Sequence, residues 1–199
     1  MDNFKESDYM TTDRILAITD GIFAIAMTLI VLTIGVPSVS GPVSDASIQK
    51  AIYTIAFPFF NFVLSFILLA MFWTANHKQL HYVKHVDSVF LWINIIWLLF
   101  IAIVPFSTEI SGDYSGYTIS QLIFNLNLLG IASLLYLNWH YATKKGLISK
   151  KMDKTKIKSI KLTCLLFVGV SLTATVLSLI IPKWCSTVYV ALLVLERFV

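Results

Sequence analysis

Arg14 and Asp20 open an otherwise apolar run, residues 14–32, that is long enough to cross a bilayer. Ionisable groups at or inside a span are costly and mark functional candidates. Six residues turn a helix by about 240°, so the two side chains leave from different faces and cannot neutralise each other. Each needs water or a partner on another helix. Asp20 stands about 9 Å along the axis from Arg14, at ~1.5 Å per residue.

A second pattern lies on the same helix. Gly21, Ile25, Thr28 and Leu32 follow one helical stripe, with Leu29 beside them. If several copies surround an axis, Ile25 and Leu32 become apolar rings that close by dewetting. Thr28 then becomes a ring of hydroxyls able to contact a partly dehydrated ion. The competing reading is ordinary close packing through Gly21, Ala24, Ala26 and Thr28.

Other chemistry is thinner. His77, His81 and His85 recur every four residues, a spacing that could hold a metal. No acidic or cysteine ligand is close, and Lys78 and Lys84 interleave them, so no metal site is expected. A titrating collar or a polar helix end fits better. There is no HExxH, GxSxG or phosphate-loop motif, so neither catalysis nor a cofactor is expected. Cys164 and Cys185 sit in or beside apolar segments and read as packing residues rather than a disulfide.

These residues need a membrane scaffold. Of 199 residues 57% are hydrophobic and 13% charged, and mean hydropathy is +0.80. Soluble domains carry about 25% charged residues. The first ten residues are polar, with Asp2, Glu6 and Asp8, and the first apolar run is too long for a signal peptide, so none is expected. Six spans are predicted in one transmembrane domain covering 1–199, at about 13–35, 52–76, 87–107, 117–141, 159–182 and 184–199, the last short. Pro58 is expected to kink the second span. Pro105 and Pro182 are expected to end the third and fifth. Trp73, Trp139 and Trp184 are expected at the interfaces.

Orientation follows from charge. Lys144, Lys145, Lys150, Lys151, Lys154, Lys156, Lys158 and Lys161 crowd the connection after span four, which is therefore placed in the cytoplasm. Lys78 and Lys84 after span two fall on the same side, while Glu109 and Asp113 after span three suit the outside. Both termini are then cytoplasmic, in a multi-pass protein of the cell (inner) membrane. The lysine-rich connection can also meet anionic lipid head groups, and the basic pI of 9.0 does not point to nucleic acid. This topology puts Arg14 and Asp20 at the depth of Trp73, Asn76 and His77. An Asp20–His77 contact, with Asn76 or Trp73 donating, would satisfy the carboxylate; the alternative is that Asp20 reaches water. Asn125 and Asn127, two apart on span four, are expected to make separate helix–helix contacts.

The run Arg-x-x-x-Ile-Thr-Asp-Gly-Ile-Phe-Ala-Ile-Ala-x-Thr-Leu resembles the first-helix signature of the transmembrane protein 175 family of potassium channels. Ile18 and Thr19 stand where that family usually has Phe and Ser, while Arg14 and Asp20 are kept. Phe72, Trp73 and His77 resemble the end of its second helix, and six spans in about 200 residues match its prokaryotic, single-repeat members. The resemblance implies an all-α homotetramer whose first helices line a pore for potassium, with modest preference over sodium. The Thr-Val-Gly-Tyr-Gly filter of ordinary potassium channels is missing from the sequence; Gly116-Tyr117 does not amount to one. By position, Ile25 would be the narrow constriction, Thr28 the threonine layer tied to potassium, and Leu29 and Leu32 further lining residues. Arg14, Thr19 and Asp20 would hold the first three spans together, with His77 as partner. The alternative from another class is a secondary or proton-coupled cation carrier using Asp20.

Overall fold

The computed structural model describes residues 11–39 and 41–195, and every regular element in it is helical. In chain order these are α1 (Thr12–Leu29, continued as a 3-10 helix over Ile30–Thr33), α2 (Asp45–Thr54), α3 (Ala56–Tyr82), α4 (Ser88–Asp113), α5 (Thr118–Lys145) and α6 (Lys154–Leu177). A 3-10 helix (Pro182–Tyr189) and α7 (Val190–Leu195) follow. Among the described residues, five helices, the first counted through Thr33, are long and apolar enough to cross a membrane.

The boundaries correct several expectations. Pro58 does not kink a span. It lies in the first turn of α3, where a missing N–H costs nothing, and its ring forbids a continuous helix from α2, so the chain breaks at Ile55. Pro105 does not end α4, which runs eight residues further. The turns of α4 after Pro105 are held by tertiary bonds: Thr108 Oγ1 donates to Ser65 Oγ (2.9 Å), and Asn61 Nδ2 to Ser111 Oγ (3.0 Å). The lysine-rich start of α6 is helical because Asp153 caps it, accepting from Thr155 N. α6 ends at Leu177, and Pro182 opens the next element instead of closing this one. α5 ends where Gly146 takes a left-handed φ of 69°, a conformation glycine adopts without a Cβ clash.

The sixth predicted span, 184–199, is only partly described, since residues 196–199 lie outside the described set. Residues 182–195 fold back beside α5 and α6, and at ~2.0 Å per 3-10 residue and ~1.5 Å per α residue they rise about 25 Å, against a hydrocarbon core of about 30 Å. Buried polar contacts fasten this segment. Asn125 Nδ2 donates to Cys185 Sγ (3.3 Å), and Gln121 Oε1 accepts from Ser186 Oγ (3.4 Å) and from Ser111 Oγ (2.9 Å). Asn127 faces α4 instead, donating to Ser107 Oγ (3.2 Å). Both cysteines are buried free thiols. Trp139 turns into the bundle, buried and donating to Ile157 O.

The connections after α3 and α5 meet at one end of the bundle, where Val83 bridges Ile148 and Lys84 N donates to Leu147 O (2.8 Å). Asp87 ties the same end, accepting from Phe90 N (2.8 Å) and Tyr141 Oη (2.7 Å). α4 and α5 form the most extensive helix pair, and their approach depends on Gly130. A Cβ there would lie 2.4 Å from Phe100 Cε1, so the ring would have to leave its packing. Gly130→Ala is expected to destabilise the fold by about 1–3 kcal/mol, seen as a lower melting temperature of the purified protein in detergent. An unchanged melting temperature would mean that the ring relocates freely.

Candidate pore helix and its polar anchor

α1 has two unlike sides. Ile15, Thr19, Phe23, Ala26 and Ile30 are buried against the bundle, and the ring of Phe23 lies 5.4 Å from that of Trp97 on α4. The other side carries the predicted stripe. Gly21, Thr28 and Leu29 are exposed, Ile25 is 60% exposed and Leu32 73% exposed. A buried face of this width already anchors the helix, so the stripe is not what packs α1 onto its own chain.

Local geometry shapes that open face. The Thr28 hydroxyl donates back to Ala24 O and Ile25 O, each at 2.9 Å. With its proton turned inward, its oxygen lone pairs point away from the helix. The change to a 3-10 helix at Ile30 moves Leu32. In three residues a 3-10 helix makes about one full turn, so Leu32 falls in line with Leu29 more than with Ile25.

At the other end of the open face stands Asp20. Trp73 Nε1 donates to its Oδ1 at 2.7 Å, a charge-assisted bond between α1 and α3. His77, the expected partner, instead sets its ring 5.6 Å from that of Trp73. The indole N–H can only donate, so the Asp20 carboxylate suits it as a partner. His77 and Arg14 are both exposed, whereas Thr19 and Asn76 are buried in the bundle. The structure thus joins Asp20, Trp73 and His77 on an accessible face and sends Thr19 and Asn76 inward.

The histidine row is broken. α3 extends to Tyr82, so His77 and His81 share it, but His85 lies beyond, its backbone N–H donating to Leu147 O. Asn94 on α4 was not singled out from the sequence, though it is buried with Thr19 and Asn76. A lone amide inside an apolar run, Trp92 to Val104, was the available signal.

The family described as the endosomal/lysosomal potassium channel TMEM175 matches residues 14–105. A protein of Chamaesiphon minutus described as a potassium channel is 29% identical over 179 residues, 88% of this chain and 87% of that one. Another of Streptomyces collinus, also described as a potassium channel, is 28% identical over 137 residues, 67% of this chain and 65% of that protein. The crystal structure of a lysosomal potassium-selective channel TMEM175 homologue from Chamaesiphon minutus superposes with a TM-score of 0.80 at 26% identity, covering 94% of this chain and 96% of that one.

Proposed function

We propose that the chain is a member of the TMEM175 family, whose model matches residues 14–105, and that it is a potassium channel in which α1 from each of four copies lines a central pathway. The observation that carries this reading is the open face of α1, which beyond Asp20 is apolar except for Thr28 and is not used in packing the subunit. Ile25 forms the narrow apolar constriction in this arrangement, with Leu29 and Leu32 as further apolar rings beyond it. The Thr28 oxygens form a polar layer between them. The relatives' described activity is conduction, so no catalytic step and no cofactor is assigned.

The remaining parts follow from physical constraints. Residues 182–195 serve as the sixth span in one channel domain. Both termini lie in the cytoplasm of a cell (inner) membrane protein, because the lysines of 144–161 gather at one end. Those lysines face anionic head groups there; Lys161 Nζ, 6.0 Å from the Tyr136 ring centroid, is partly held by the aromatic face. The carrier reading is not favoured, because the relatives are described as potassium channels and the Asp20 carboxylate is engaged by Trp73.

The test is passive flux in liposomes holding the purified protein. Potassium flux that falls when sodium replaces potassium is the expected result; absence of passive flux for either ion would sink the channel reading. Within that assay, Thr28→Ala should lower the preference for potassium over sodium by a few-fold, the scale of losing one weak ligand per subunit. A preference unchanged by Thr28→Ala would remove the hydroxyl layer from the selectivity mechanism.

A further inference from the structure

α1 and α3 run antiparallel, and the Trp73–Asp20 bond fixes their register. Ile15 and Leu80 belong to one apolar cluster, Phe23 and Phe72 to the next. Midway between them, four residues from each, stand Thr19 and Asn76. α4 follows the same spacing: Phe90 joins the Ile15 cluster and Leu98 the Phe23 cluster, with Asn94 midway. Residues four apart share a helix face, so Thr19, Asn76 and Asn94 form one polar layer between two apolar ones. Their exposures are 1%, 0% and 1%.

Thr19 Oγ1 and both Nδ2 and Oδ1 of Asn76 and of Asn94 are buried without a hydrogen-bond partner. Buried polar groups left in that state cost stability, and internal water is the usual remedy. We propose that Thr19, Asn76 and Asn94 hold a buried cluster of water molecules between α1, α3 and α4. The donor set selects the occupant. Two amide nitrogens offer only hydrogens, two amide oxygens offer only lone pairs, and the hydroxyl offers both. Water answers both kinds at once. A metal or alkali cation could use the oxygens but would face the amide hydrogens, and the layer contains no carboxylate. A direct amide–amide contact would satisfy one donor and one acceptor and leave the rest bare. Such water lets α1 shift against α3 and α4 without stranding its hydroxyl. Such a cluster does not depend on which ion permeates.

Radiolytic hydroxyl-radical labelling of the intact protein in lipid nanodiscs, in water enriched in oxygen-18, tests it. Leu80 and Phe90 flank the layer, whereas Leu128 and Phe167 are equally buried elsewhere. Bound water generates radicals in place, so Leu80 and Phe90 should label roughly fivefold faster than Leu128 and Phe167, respectively. In the Asn76→Leu, Asn94→Leu double variant the excess should vanish; if that variant does not assemble, the wild-type comparison decides alone. Equal rates at flanking and control residues would overturn the proposal, leaving the three side chains as a dry cluster. An excess that appears only when choline replaces potassium would overturn it in favour of a bound cation.

Discussion

Ile25→Asn is expected to raise passive potassium conductance by roughly tenfold and to weaken ion discrimination, because a polar ring keeps water where an apolar one expels it. Ile25 is an isoleucine with 60% of its surface uncovered by its own chain. In the proposed tetramer four such side chains meet at the axis, and an ion crossing them would have to shed water without compensation. An amide there supplies both donors and acceptors. Liposome flux with a potassium-sensitive dye measures the change. Leu172→Asn on α6, also exposed but on another helix, is the control and should leave conductance alone. Wild-type flux from both Ile25→Asn and Leu32→Asn would show that the open face of α1 is outside the ion path.

Trp73→Phe is expected to loosen α1 from α3 and cost the proposed tetramer. The ring volume is largely kept, but Asp20 loses the N–H that holds it at 2.7 Å. A hydrogen bond to a charged group contributes about 1.5–3 kcal/mol, and here it is repeated in every subunit. Asp20→Asn should be milder, since an amide oxygen still accepts from the indole without a charge to solvate. Asp20→Ala should resemble Trp73→Phe. Size-exclusion profiles and thermal melts in detergent measure all three. A stable, wild-type-like oligomer from Trp73→Phe would mean that the bond decorates the interface without securing it.

Much of this protein was legible in its residues. Long apolar runs, eight lysines crowded into 144–161, and the stripe from Gly21 to Leu32 follow from hydropathy, charge and helical period alone. Those quantities depend only on local order along the chain, so helix existence, relative loop placement and the two sides of α1 could be read directly. Trp73 and Asp20 were also placed at one depth by topology, since span order fixes height in a bilayer.

Lateral choices were not legible. Height does not say which of Trp73, Asn76 and His77 turns toward Asp20; helix rotation and close packing decided for Trp73 and sent Asn76 inward. Proline carried the same ambiguity. Pro58 and Pro105 look alike in sequence, yet one begins a helix and the other lies inside one, because tertiary hydrogen bonds to Ser65, Asn61 and Asn127 hold the turns after Pro105. The sequence by itself determined a membrane bundle with one two-sided first helix. The tertiary structure alone decided which polar side chains meet, since that depends on register between segments tens of residues apart, which no local pattern encodes.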